Sequence, residues 1–160
     1  MCRSFGPITL DHIGIATESL VDGSPFWSLI GLTQGADDER VEEQGVTTRF
    51  FATDEGQQRP PAKIELLEPT GPDTPIGRFL DRRGPGVQQV CFRGGDLEGM
   101  IQHLMANGVR MIDETPRKGA GGMRIAFVHP KSTGGVLVEL ASKDEHACRP
   151  TMLHQPLSLP

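Results

Sequence analysis

The feature that most constrains the fold of this 160-residue chain is an internal repeat of one short segment. In LDHIGIA, residues 10–16, the side chains alternate between two faces, which predicts a β-strand. The segment VQQVCF, residues 87–92, aligns with this pattern without a gap, so that Gln89 occupies the position of His12. A chain that repeats a supersecondary unit buries its core by packing the copies against each other.

A helix is expected after the repeated strand in each half. Residues 96–109 carry apolar side chains at helical spacing, with Asp96 as the expected N-cap. In the first half, Ser24-Pro25 is typical of a helix start. The side chains expected to face inward from that helix are Phe26, Leu29 and Ile30.

Further strands are predicted after each helix. The clearest are residues 46–52 and 62–69 in the first half and residues 123–129 and 136–142 in the second. Glu65 and Glu139 fall at matching positions of the last strand in each half. With weaker second strands at residues 32–36 and 109–112, each half has the order β-α-β-β-β.

The predicted fold class is therefore α+β, with two paired β-α-β-β-β modules that form an open, barrel-like cleft. We expect one domain overall. Its expected parts are the first module at 7–70, a linker with a short helix at 71–85, the second module at 86–142 and a loosely ordered tail at 143–160. The short helix begins at Thr74-Pro75.

Composition narrows the classes of function. A net charge of −5 disfavours nucleic acid as a partner, because phosphate binding requires a basic surface. No segment approaches the ~18 apolar residues of a membrane-spanning helix, and we expect no membrane partner and no signal peptide. Three cysteines that lie far apart in the sequence are typical of a reducing compartment, so the expected location is cytoplasmic.

Four polar residues at the matched positions predict a site in the cleft. They are His12, Glu65, Gln89 and Glu139. Two carboxylates that converge in a half-buried cleft repel each other, and a divalent cation relieves that repulsion. Imidazole nitrogen, carboxylate oxygen and amide oxygen are all suitable ligands, so the pattern predicts a metal or substrate site. The alternative is that all four are ordinary solvated polar side chains.

The chain also resembles a known family along most of its length. The matching stretches are LDHIGIA (10–16), EQGV (43–46), KIELLEPTGPDTPIGRFL (63–80), NGVRMIDETPRKGAGG (107–122) and FVHPKSTGGVLVEL (127–140). They resemble the vicinal oxygen chelate superfamily of glyoxalases, bleomycin resistance proteins and dioxygenases, and within it the methylmalonyl-CoA epimerases. The resemblance implies the vicinal oxygen chelate fold of paired β-α-β-β-β modules, an acyl-CoA substrate and a homodimer.

The resemblance places the metal ligands on His12, Glu65, Gln89 and Glu139. Relatives usually carry two histidines where this chain has Gln88-Gln89, and the second of them is the ligand. One imidazole with oxygen donors favours Co²⁺, Mn²⁺ or Mg²⁺, with Zn²⁺ or Ni²⁺ as further candidates.

The activity implied by the resemblance is metal-dependent epimerisation of (R)- and (S)-methylmalonyl-CoA, by removal of the C2 proton through a metal-stabilised enolate. Glu139 is the expected base on one face. Some relatives carry a second glutamate where this chain has Thr48, so Glu65 is expected to serve the other face. Expected substrate contacts are Gln44, Thr48 and Lys131. Arg117 and Lys118 are further candidates for the phosphates of coenzyme A.

Two alternatives stay open. A glyoxalase I-like lyase fits the ligand set, although the local similarity favours the epimerases. A metal-free small-molecule-binding member of the superfamily fits the Gln88-Gln89 pair, because amides in a cleft recognise ligands without metal. Retention of both Glu65 and Glu139 opposes that alternative, since unpaired buried carboxylates are costly.

Overall fold

One curled β-sheet runs through both halves of the chain in the computed structural model, which describes residues 5–53 and 61–143. Its nine strands in these residues are β1 (Thr9–Ala16), β2 (Thr33–Gln34), β3 (Glu39–Val41), β4 (Val46–Ala52), β5 (Lys63–Pro69), β6 (Gly86–Arg93), β7 (Arg117–Lys118), β8 (Met123–Val128) and β9 (Val138–Lys143). The α-helices in the same ranges are α1 (Leu20–Gly23), α2 (Pro25–Leu29), α3 (Pro75–Arg83) and α4 (Leu97–Ala106). Single 3₁₀ turns lie at Glu42–Gln44, Ala120–Gly122 and Pro130–Ser132.

The strand order shows how the two halves combine. It is β2-β4-β5-β1-β6-β9-β8-β7, with β3 paired to β4, so the first strand of each half lies at the centre. α1, α2 and α4 pack on one face of this sheet. The other face is concave, and Ile76 of α3 packs there against Val46 and Leu67. This arrangement confirms the predicted α+β class and the barrel-like cleft.

A local two-fold relation organises the centre of the sheet. β1 and β6 pair in antiparallel fashion, and Ile13 lies opposite Val90, its own equivalent in the repeat. His12 lies opposite Cys91, and Gly14 lies opposite Gln89. β5 runs parallel to β1, and β9 runs parallel to β6, so the outer strands obey the same relation.

Two of the predicted helix starts are confirmed by their caps. The Asp96 side chain accepts a hydrogen bond from the Gly99 N–H at the start of α4, and Thr74 accepts one from the Gly77 N–H at the start of α3. Such caps satisfy amide groups that the first turn of a helix leaves without partners.

The largest apolar cluster joins α4 to β8 and β9. Its buried members are Leu97, Met100, Ile101, Met111, Ala126, Val128 and Leu140. A second cluster joins α1 to β4 and β5 through Leu20, Phe51 and Leu66. These clusters hold α1 and α4 on the face opposite the cleft, which leaves room on the concave face for polar side chains. No helix in the described part of the chain is long and apolar enough to cross a membrane.

The predicted inward face of the first helix is wrong. Phe26 is 60% exposed, Leu29 is 85% exposed and Ile30 is 55% exposed. Ser24, the residue before α2, is buried instead, and its Oγ donates to the Leu20 carbonyl at 2.5 Å. Within α2, Trp27 is partly buried against the cluster of Leu20, Phe51 and Leu66. The helix is only five residues long, and its packing is set by the preceding turn of α1.

The second strands of the two halves differ. β2 lies within the predicted segment 32–36. The predicted strand at 109–112 is wrong, because only Met111 forms a bridge there, to Val128. The edge partner of β8 is β7, further along the chain. Residue 143 ends β9, and the rest of the predicted tail, 144–160, lies outside the described residues.

Leu66 is buried and Leu29 is exposed, so replacing each by alanine should change the free energy of unfolding by different amounts. Leu66 is 1% exposed in the α1 cluster, so Leu66→Ala should lower the free energy of unfolding by about 2–5 kcal/mol. Leu29→Ala should change the free energy of unfolding by less than about 0.5 kcal/mol, because the Leu29 side chain buries little apolar surface. Urea unfolding measures both values. Equal losses would show that the α2 face is buried in solution.

Candidate active site

Two rows of residues across the concave face carry the four predicted site residues. The rows, read along strand pairings, are Glu65–Gly14–Gln89 and His12–Cys91–Glu139. The repeat relates one row to the other, so each half supplies one carboxylate and one further polar side chain. All four predicted residues are at most 6% exposed.

Three close contacts connect the four side chains. His12 Nε2 lies 3.0 Å from Glu65 Oε2 and 3.8 Å from Glu139 Oε2. Gln89 Nε2 donates to Glu139 Oε2 at 2.5 Å. The structure therefore brings together residues that are up to 127 positions apart in the sequence, from four different strands.

Gly14 provides the space that Gln89 occupies. A Cβ atom at position 14 would lie 2.7 Å from Gln89 Cγ and 3.1 Å from Leu67 Cδ1. Contacts this short require a neighbour to move. The glycine of the repeated strand is thus explained by the side chain of its cross-strand partner.

Asp11 belongs to the site, although the alternation of β1 places it on the opposite face. The β1–β6 register shifts between Leu10 and His12, which is a β-bulge. A bulge redirects side chains, and Asp11 Oδ2 lies 2.8 Å from His12 Nδ1. Strict alternation along residues 10–16 predicts that Asp11 and His12 face opposite sides, and this prediction is wrong because alternation cannot reveal a bulge.

Two cationic side chains contact the Asp11 carboxylate. Arg93 donates to Asp11 Oδ1, and Lys63 Nζ lies 3.6 Å from Asp11 Oδ2. These residues come from β6 and β5, the two neighbours of β1 in the sheet. The sequence did not predict that Asp11, Lys63 and Arg93 belong to the site. The one signal was the charged residue Asp11 directly before His12.

Burial and close charges shift the proton equilibria of the site. Burial alone would lower the pKa of His12, but the hydrogen bond to Asp11 and contacts with other buried groups raise it. Burial raises the pKa of Glu65, although His12 opposes that change. Burial also acts to raise the pKa of Asp11, yet hydrogen bonds from His12 and Arg93 lower it. A protonated His12 would thus balance the nearby carboxylates.

The donor set fits a divalent cation. His12 Nε2 and Glu65 Oε2 are buried and lie 3.0 Å apart, and without the imidazolium proton neither atom has a hydrogen-bond partner within the described residues. Buried polar atoms without partners are costly, and a cation at Nε2 would replace the imidazolium proton. One imidazole nitrogen beside carboxylate oxygens is a common ligand combination for divalent metals.

A second group of potential ligand atoms overlaps the first. Asp11, His12 and Cys91 each offer one atom, and these atoms lie within 4.8 Å of one another. Asp11 is already paired with Arg93 and Lys63. Burial raises the pKa of Cys91 to about 12, which keeps it a thiol near neutral pH unless a cation binds. The Glu65 side of His12 is therefore the better cation position.

Two cavities meet at this cluster. A polar cavity of about 290 Å³ is lined by the cluster itself. An apolar cavity of about 190 Å³ is lined in part by Val46, Leu67, Ile76, Phe127 and Leu137. Gln44 and Gln89 line both, so a ligand in the apolar cavity would reach the cluster.

The other predicted contact residues differ in position. Gln44 lines both cavities, as described above. Thr48 is 2% exposed, lines neither cavity, and donates from Oγ1 to the Glu39 carbonyl at 3.5 Å. Lys131 is exposed in the turn that follows β8, and Lys118 is exposed on β7. Arg117 lines the apolar cavity.

The paired modules and the buried cluster at their centre define one class of protein. A family model described as the Glyoxalase/Bleomycin resistance protein/Dioxygenase superfamily matches residues 11–127. The chain belongs to this superfamily, which confirms the resemblance found in the sequence.

Particular relatives narrow the comparison. A methylmalonyl-CoA epimerase of Dictyostelium discoideum is 36% identical over 135 residues, covering 84% of this chain and 78% of the relative. An uncharacterised protein of Bacillus subtilis is 41% identical over 140 residues, covering 86% and 95%. A Streptomyces coelicolor methylmalonyl-CoA epimerase variant, solved in complex with 2-nitronate-propionyl-CoA, has a TM-score of 0.79 at 33% identity, covering 86% and 95%.

The space at Gly14 predicts a selective effect of adding one methyl group. Gly14→Ala should displace Gln89, lower the free energy of unfolding by about 1–3 kcal/mol and weaken Co²⁺ binding. Gly86→Ala is the control on the paired strand, because nothing lies within 4 Å of its Cβ position. Urea unfolding and Co²⁺ titration test both variants. Equal effects at the two glycines would contradict the link to Gln89.

Proposed function

We propose that this protein is a metal-dependent epimerase that interconverts (R)- and (S)-methylmalonyl-CoA. The observation that carries the proposal is the convergence of two buried carboxylates, Glu65 and Glu139, on His12 Nε2. Epimerisation removes a proton from one face of C2 and delivers one to the other, which requires two groups on opposite sides. The relatives named as methylmalonyl-CoA epimerases support the choice of substrate.

The residues proposed to hold the cation are His12, Glu65, Gln89 and Glu139. Gln89 presents Nε2 to Glu139 in the structure, and a half-turn of the amide would present Oε1 instead. When bound, a divalent cation would polarise the thioester oxygen and stabilise the negative charge that develops there. The nitrogen and oxygen donors favour Co²⁺, Mn²⁺ or Mg²⁺.

The two glutamates are proposed to move the proton. Each carboxylate has two oxygens, so one can contact the cation while the other faces C2. Burial raises the pKa of Glu65, which allows it to hold the proton that one face must receive. Glu139 then accepts the proton from the other face, and the reverse reaction exchanges these parts.

Thr48 is excluded as the second base by its chemistry and its position. A threonine hydroxyl does not accept protons near neutral pH, and this hydroxyl is buried against the Glu39 carbonyl. Glu43 is exposed beside the apolar cavity, which makes it a weaker candidate. The second proton transfer therefore falls to Glu65.

One observation favours a second candidate, a metal-free small-molecule-binding protein. The hydrogen bond from Gln89 to Glu139 satisfies one carboxylate oxygen without a cation. A protein that recognises ligands through amides would keep this bond and need no metal. The homodimer and the cytoplasmic location stay predictions from the sequence.

The proposal is tested by exchange of the C2 proton of methylmalonyl-CoA in D₂O, followed by NMR. With Co²⁺ or Mn²⁺ we expect loss of the C2 proton signal, and with EDTA we expect no loss. The absence of exchange with any metal, together with exchange in a Gln89→His variant, would favour the binding protein instead.

Substitution of the proposed bases gives an independent test. Glu139→Gln and Glu65→Gln should each lower the exchange rate by about 10²- to 10⁴-fold, because a neutral amide cannot accept a proton. Glu43→Gln is the matched control and should retain the rate. Loss of the rate in the Glu43 variant alone would transfer the second base to that residue.

A further inference from the structure

The two ring nitrogens of His12 have different surroundings. Nε2 lies 3.0 Å from Glu65 Oε2 and 3.8 Å from Glu139 Oε2. Nδ1 lies 2.8 Å from Asp11 Oδ2, on the other side of the ring. A neutral imidazole carries one proton, so a group that holds this proton at one nitrogen leaves the other nitrogen free to bind a cation. The contact at Nδ1 therefore decides what Nε2 can bind.

The Asp11 carboxylate is an acceptor on both of its oxygens. Arg93 donates to Oδ1, and Lys63 Nζ lies 3.6 Å from Oδ2. Two cationic side chains this close favour the ionised carboxylate, which has no proton to donate. The hydrogen bond between Asp11 and His12 is therefore donated by the ring, and the ring proton lies on Nδ1.

The same two cationic side chains also affect Asp11 as a potential ligand. Asp11, His12 and Cys91 offer ligand atoms within 4.8 Å of one another, so a cation could in principle bind on the Asp11 side. A divalent cation beside Asp11 would lie close to Arg93 and Lys63, and both would repel it. Their positions favour a cation on the opposite side of the ring, at Nε2.

Phe50 restricts the orientation of the His12 ring. The two ring centroids are 5.7 Å apart and the ring planes meet at 80°, which is an edge-to-face contact. Lys63 Nζ lies 4.8 Å from the Phe50 ring centroid, so Phe50 contacts both the imidazole and a cationic partner of Asp11. These contacts support the ring orientation in which Nδ1 reaches Asp11.

We propose that Asp11 is a positioning residue that keeps the His12 proton on Nδ1 and so reserves Nε2 for the cation. Arg93 and Lys63 hold the Asp11 carboxylate in this place and prevent it from becoming a ligand itself. The inference rests on the proposed function for the presence of a cation at Nε2, and it does not depend on the identity of the substrate.

The proton position is tested directly by ¹⁵N NMR of protein labelled in the histidine rings. Signals that are absent from a His12→Gln variant identify His12. When Zn²⁺, which is diamagnetic, is bound without any acyl-CoA, Nδ1 should keep its proton and Nε2 should have none. A Zn²⁺-bound ring with its proton on Nε2 would overturn the proposal.

Asp11→Asn should weaken cation binding. Arg93 donates to Oδ1, so the amide oxygen of an asparagine takes that place and its NH₂ group faces Nδ1. Nδ1 must then accept, and the ring proton moves to Nε2, where it competes with the cation. We expect the Kd for Co²⁺ to rise roughly 10- to 100-fold, as measured by titration without acyl-CoA.

Asp38→Asn is the matched control. Asp38 also forms a carboxylate–arginine pair, with Arg49 Nη2 at 2.6 Å, but it lines neither cavity of the site. Its loss should leave the Kd for Co²⁺ unchanged. An unchanged Kd in Asp11→Asn, or an equal rise in both variants, would overturn the proposal. If Asp11→Asn does not fold, the ¹⁵N measurement on the wild type decides alone.

Proton exchange at C2 of methylmalonyl-CoA separates this inference from the proposed function. If the wild type binds Zn²⁺ with Nδ1 protonated and Asp11→Asn weakens Co²⁺ binding, but no C2 proton exchanges, the role of Asp11 is correctly assigned and the epimerase proposal is wrong. If the wild type exchanges the proton and Asp11→Asn binds Co²⁺ as tightly, the role of Asp11 is wrong and the proposed function stands.

Discussion

The antiparallel pairing of β1 with β6 is the interaction on which the rest of the structure depends. It places Ile13 opposite its repeat equivalent Val90, so the other equivalent residues of β1 and β6 are related by the same local axis. β5 and β9 then bring Glu65 and Glu139 to the axis from opposite sides. A shift of this pairing by one residue would turn the site residues to the other face of the sheet.

Burial of negative charge is the main cost that this arrangement must offset. Asp11 is compensated by Arg93 and Lys63, which reach it from both neighbouring strands. Glu65 and Glu139 share His12, and the protein supplies no further cation as close to their oxygens among the ion pairs of the described residues. This imbalance is the physical reason that the donor set fits a divalent cation.

The two adjacent glutamines serve different neighbours. Gln89 reaches Glu139 in the site, and Gln88 lines the apolar cavity with a buried oxygen that lacks a hydrogen-bond partner among the described residues. The two adjacent amides of β6 thus have different surroundings.

The sequence by itself determined the paired modules and the four residues of the cluster, because strand alternation and the repeat are local patterns that survive without a structure. It also located the caps at Thr74 and Asp96. Tertiary structure alone decided the exposure of the α2 side chains, the partner of β8 and the inclusion of Asp11. Those features depend on a bulge, on edge pairing and on which short helix reaches the sheet. Such contacts join residues that are distant in the chain, so local periodicity does not encode them.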